Sequence, residues 1–414
     1  MPDREPPAPR QTAAARLFES NTAADFWRVL AEPQPAAEEW AAAVRAAAEE
    51  LPAAARRDGD DLASLLHNTL GEGQFGPGHW RLSLPRRAYY WLKPLLPRAL
   101  TTRVRGLHRG FAERAFPLGW PQEPRFARFQ YAVARNLAEG RGWSRLPFTS
   151  FWPEGRRYAL VLTHDIESSA GQSFAARVAD QEEVLGFRSA FNFVARDYRH
   201  DPGLIADLRS RGFEVGVHGC HHDGRDFAGR ARFRRRAAAV NERLRALGAT
   251  GYRSPLTIRN PVWMQELEIE YDCSFFDTDP YEPLPGGVMT LWPFRIGRFV
   301  ELPYTLAQDH TLARVLGQRT PAIWLDKVGM IRRFGGLALL NCHPDYLREQ
   351  GLWDLYRAFL EALRPAAGEY WQALPVEVAR WWRSRAEAAS PLELPGARSA
   401  YLDLDPEGGI RLAV

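Results

Sequence analysis

The chain has 414 residues, 45% hydrophobic and 25% charged, a globular balance that excludes a mainly disordered protein. No run approaches the roughly 18 consecutive apolar residues of a spanning helix. Its net charge is only +4, and all but two of the 54 basic residues are arginines (the lysines are Lys93 and Lys327). With so much Ala and Pro this is the bias of GC-rich coding, so nucleic acid is not an expected partner.

Length allows two or three folding units, at about 150 residues each. Residues 1–20 are rich in Pro and Ala, lack the apolar stretch of a secretory signal, and are expected to fray. The protein is therefore expected to be soluble and cytoplasmic. Residues 21–150 form a mainly helical, Pro- and Arg-rich region. Its helical spacing runs through Phe26, Trp27 and Leu30, the Ala-rich run 36–55, and Leu62, Leu65, Leu66 and Leu70. Residues 81–116 hold nine basic residues against one acid, Glu113. There RRAYYWLKPLLPR (86–98) could meet an anionic bilayer or pack its aromatics onto the fold. Prolines 94 and 97 interrupt a continuous amphipathic helix and favour packing. A loop is expected over 140–155.

From Tyr158 short apolar strands alternate with amphipathic helices. Strands are predicted at 158–163, 189–194, 213–217, 298–302 and 337–341. Helices are predicted at 172–186, 202–212, 231–247, 322–333 and 352–363. Such alternation over about 200 residues predicts an α/β protein with a parallel, barrel-like sheet at 151–390, followed by a C-terminal hairpin at 391–414. Cys220, Cys273 and Cys342 fit neither a disulfide framework nor a zinc ribbon, and Cys220 and Cys342 read as small buried apolar residues.

In a parallel barrel, chemistry gathers beyond the C-terminal ends of the strands. The first exit reads Thr163-His164-Asp165-Ile166-Glu167 and the third His218-Gly-Cys-His221-His222-Asp223. Later exits read Arg253-Ser254-Pro255 and Cys342-His343-Pro344-Asp345. Two histidines and a carboxylate can hold a divalent ion and leave one position open. A second carboxylate can accept a proton and another histidine can donate one. Asp165, Glu167, His218, His222 and His343 supply those parts.

LTHDIE, GVHGCHHDG, GYRSP and CHPDY, in that order, resemble the polysaccharide deacetylases of carbohydrate esterase family 4, in particular an intracellular branch with LTHD-x-[DE]. The resemblance covers residues 158–347. It implies a distorted (β/α) barrel that removes an acetyl group from an N-acetylated sugar or glycolipid of bacteria, using a divalent metal. Zinc is the first choice, with cobalt, nickel or manganese as alternatives. By position, Asp165 would be the general base and His343 the general acid. Arg253 would orient Asp165, and Glu167, His218 and His222 would hold the metal. The family usually has Asp where Glu167 stands, and a longer side chain changes how the metal must sit. Two further readings remain open: a carbohydrate-binding relic without chemistry, and a hydrolase of another non-peptide C–N amide. Pro255, Tyr304 and Asp309 are expected at the sugar pocket, with Asp277 and Asp279 as weaker candidates. His164 and Asp223 are expected to steady the ligands, and His221 either to support them or to be merely exposed.

Overall fold

The computed structural model describes residues 14–76, 79–80, 82, 114–404 and 410–414. The aromatic and basic stretch 86–98 lies outside the described residues, as do residues 1–13 of the segment expected to fray. Of that segment, Ala15–Phe18 makes a 3-10 turn that buries Phe18 completely. The Ala-rich run is not one helix: it is helical over Ala37–Ala47, tightens through Ala48–Glu50 and then stops. Pro52 has no N–H and disfavours helical geometry in the residue before it.

Twelve strands are present among the described residues: β1 Arg145–Thr149, β2 Tyr158–Ile166, β3 Ala190–Phe193, β4 Glu214–His218, β5 Gly251–Arg253, β6 Tyr271–Asp272, β7 Phe294–Ile296, β8 Phe299–Glu301, β9 Leu337–Cys342, β10 Tyr370–Gln372, β11 Ser399–Leu404 and β12 Ile410–Ala413. All nine residues of β2 are buried, as expected of a parallel strand covered on both faces. It pairs parallel with β9 along one side (Ala159↔Leu337 to His164↔Cys342). Along the other it pairs first with β10 and then with β3. From β3 the sheet continues in parallel through β4, β5, β6 and β8, and β7 folds back antiparallel on β8.

The chain after β8 brings the curl back to its start. Phe276 bridges Tyr304, Leu306 bridges Leu340, and the N–H groups of Thr305 and Leu306 donate to the carbonyl of Leu339. The result is an α/β protein with a distorted (β/α) barrel; the distortion shows in β5 and β6, three and two residues long. Helices Ser169–Leu185, Pro202–Ser210, Arg230–Leu247, Ala322–Phe334 and Gln350–Leu363 fall on the predicted segments.

The 140–155 stretch is not only loop. It contains β1, which pairs antiparallel with β11, and β11 pairs with β12 to complete a second, three-stranded sheet. Buried Arg385, on helix Pro375–Glu387, donates to the carbonyls of Ser150, Thr149 and Phe26, tying that helix to both neighbours. Glu72 and Arg259 form a fully buried ion pair joining the N-terminal helices to the segment after β5. Among the described residues no helix is long and apolar enough to cross a membrane.

Candidate active site

Asp165, His218 and Arg253 lie at the C-terminal ends of β2, β4 and β5, and His343 follows β9 directly. Parallel pairing brings these ends together at one rim. β2 runs three residues beyond its predicted end, so Asp165 is held inside the sheet rather than after it.

Asp165 is buried and clamped by two amides. Asn192, its register partner on β3, donates from Nδ2 to Oδ1 at 3.0 Å, and Asn341 on β9 donates to Oδ2 at 2.9 Å. Arg253 Nη1 lies 3.5 Å from Oδ2, but its hydrogen bonds go to Thr163 Oγ1 and, through Nε, to the carbonyl of Cys273. The two asparagines fix the Asp165 carboxylate and Arg253 adds its charge. Burial pushes this carboxyl up, yet His218, Arg253, His343 and Asn192 outweigh it and hold Asp165 below the usual carboxylate range.

Glu167, His218 and His222 converge, each offering a ligand atom within 4.8 Å of the others. His218 Nδ1 sits 3.2 Å from the carbonyl of Arg253, so its proton belongs there. Nε2 of the same ring is buried with no hydrogen-bond partner among the described residues. Burial pushes this imidazole down to about 4, which leaves it neutral with a free lone pair. His222 Nε2 is 3.0 Å from Glu167 Oε1. The side chains of Glu167 and His222 are 18% and 21% exposed, so the cluster opens to solvent on their side. An orphaned neutral nitrogen, a second imidazole and an anionic carboxylate suit a borderline-soft divalent cation. The turn leaving His218 requires glycine: Gly219 has φ +64°, and a Cβ there would fall 2.3 Å from buried Pro255.

His343 is oriented by Asp309, which accepts from Nδ1 at 2.7 Å and from the backbone N–H at 2.9 Å. Nε2 lies 3.7 Å from Glu167 Oε1. Burial pushes His343 down, but Asp309, Glu167 and Asp165 together raise it to about 10, so it is an imidazolium at neutral pH.

Several of the expected residues have other partners. Asp309 accepts from His343 through both of its oxygens. Tyr304 is buried, with Gln308 Nε2 3.4 Å from its hydroxyl, and presents no free face to a ligand. Asp277 is paired with buried Lys327 at 2.7 Å, and Asp279 accepts from the N–H of Tyr281. His164 turns away from the ligands to Glu182, and Asp223 is bonded to Arg236 through both oxygens. Asp197 binds His221 Nδ1 and the N–H of His222, steadying that loop. The three cysteines are buried and free, as read from the sequence for Cys220 and Cys342. Asn192 and Asn341 were missed; their signal was a lone amide in otherwise apolar strands.

No family model matches the sequence, and no curated protein matches it either. Similar solved structures include a Mycobacterium smegmatis protein assigned to the polysaccharide deacetylases (18% identity, 56% of this chain and 93% of that one, TM-score 0.46). Puue allantoinase aligns at 15% identity over 58% of this chain and 93% of its own, with a TM-score of 0.45. A family 4 carbohydrate esterase from Streptomyces lividans, solved with acetate, aligns at 15% identity over 58% and 97%, with a TM-score of 0.35. Likeness of this degree names neither a reaction nor a substrate.

Proposed function

We propose that the protein is a metal-dependent hydrolase that removes the acetyl group from an N-acetylated sugar, within cytoplasmic steps of bacterial polysaccharide or glycolipid assembly. The observation that carries this reading is one rim holding three things: an anionic Asp165 against His218, a protonated His343 against Glu167, and a ligand triad whose His218 Nε2 has no other partner. Glu167, His218 and His222 would hold the cation, zinc before cobalt, nickel or manganese. When bound, it supplies Lewis acidity toward the amide carbonyl and makes water more acidic.

Asp165 accepts a proton from the attacking water, with Asn192 and Asn341 fixing its lone pairs and Arg253 favouring its charge. His343 gives its Nε2 proton to the departing amine nitrogen while Asp309 holds the ring. Water and amide thus become acetate and a free amino sugar. Metal analysis of the purified protein, followed by acetate release from N-acetylated sugars, tests this directly. About one divalent ion per chain is expected, lost together with turnover in His218→Ala/His222→Ala. A metal-replete protein inert toward every N-acetylated sugar would overturn the substrate assignment.

A further inference from the structure

Glu167 differs from the other candidate ligands in having a flexible side chain, with three torsions to fix before its carboxylate can serve. The turn after β9 supplies the restraint. Tyr346 donates from its hydroxyl to Glu167 Oε2 at 3.1 Å, while Oε1 faces His222. One residue earlier, Asp345 Oδ2 accepts the backbone N–H of Glu167 at 3.0 Å and Oδ1 accepts the hydroxyl of Ser168. Asp345 reaches them because position 171 is glycine: a Cβ there would lie 2.0 Å from Asp345 Oδ2. The Tyr346 ring is itself held, with the Arg314 guanidinium 4.5 Å from its centroid and the His343 ring at 4.9 Å.

We propose that Tyr346, with Asp345 holding the Glu167 backbone, is a positioning residue that occupies Oε2 of Glu167 so that Oε1 alone is presented to a cation beside His218 and His222. Residues 343–346 then serve the site twice, as proton donor through His343 and as carboxylate clamp through Tyr346. Hydrogen bonds to a ligating carboxylate commonly set metal affinity. A Glu can serve here because its extra methylene carries one oxygen to the Tyr346 hydroxyl. The inference rests on the reading that Glu167, His218 and His222 bind a divalent ion.

The test is Zn²⁺ and Co²⁺ affinity of the full chain by chelator competition, for the wild type, Tyr346→Phe, Glu167→Asp and the double variant. Tyr346→Phe should weaken both ions about 10- to 100-fold and change the visible spectrum of the Co²⁺ form. Glu167→Asp draws the carboxylate away from Tyr346, so the double variant should bind no more weakly than Glu167→Asp alone. Wild-type affinity and spectrum in Tyr346→Phe, or two losses that simply multiply, would overturn the clamp while leaving the metal site standing. A wild type that binds neither ion would overturn the metal reading and the clamp with it.

Discussion

His164 and His343 make an instructive pair. They stand at the ends of adjoining strands, His164 in register with Cys342, and each meets a buried carboxylate, Glu182 at 2.6 Å or Asp309 at 2.7 Å. Their remaining surroundings differ. Glu182 lies on helix Ser169–Leu185 and also takes the hydroxyls of Ser189 and Tyr356, while the His164 ring packs on Phe191 at 4.9 Å between centroids. His343 spends Nδ1 on Asp309 and keeps Nε2 toward Glu167. Side chains alternate along a strand, so where Asp165 turns to the ligands its neighbour His164 turns to the helix layer. A histidine–carboxylate pair is thus a fastener on one side of the sheet and an acid on the other.

The comparison is most exposed to two substitutions. His343→Asn keeps a donor at the Nδ1 position for Asp309 but removes the acid, and kcat for acetate release per folded molecule should fall about 10²- to 10⁴-fold. His164→Ala should cost stability and spare turnover. It removes one partner of a buried pair and leaves Glu182 to Ser189 and Tyr356, a loss of about 3 kcal/mol in urea denaturation. Turnover per folded molecule should stay near wild type. An His164→Ala protein that folds fully yet releases no acetate would erase the distinction.

The same contrast shows where the sequence was legible. Strands β2 and β9 were visible because parallel strands covered on both faces read as unbroken apolar runs, and their exits exposed Asp165, Glu167 and His343. Strands β5 and β6, three and two residues long, were not, because no continuous apolar run marks them; only Arg253-Ser254-Pro255 marked that exit. The clamp on Asp165 was hidden for another reason. Asn192 and Asn341 reach it through strand register, a non-local property, and a lone amide in an apolar strand has many uses. The Asp309–His343 contact was hidden because an aspartate's type suits a sugar pocket as well as an imidazole, and only the fold brings His343, 34 residues later, onto it. β1 was lost in a loop because its partner β11 lies some 250 residues along the chain.

Asp309→Asn sharpens the comparison on the catalytic side. The carboxylate of Asp309 helps to raise His343 to about 10, and the acid must be protonated to act. Removing that carboxylate should therefore move the alkaline limb of kcat/KM to lower pH in the variant than in the wild type. Misorientation of the ring adds a loss of up to about a hundredfold. Stability of the metal-free protein carries the same sign. A pKa raised on folding above about 6.5 stabilises fully below that pH, and the stabilisation fades as pH rises toward 10. Asp309→Asn should flatten that decline in pH-dependent urea denaturation.

The smallest effect belongs to Tyr356→Phe on the other side of the sheet. It deletes one of three donors to Glu182 and leaves His164 and Ser189 in place. About 1 kcal/mol of stability should be lost, the range for an intramolecular hydrogen bond. The pH profile of acetate release should not move, because nothing in that cluster faces Asp165 or His343 across the sheet. A displaced profile in Tyr356→Phe would mean that the two histidine pairs communicate through β2 and β9. His164 would then belong to the proton chemistry rather than to the packing of the helix layer.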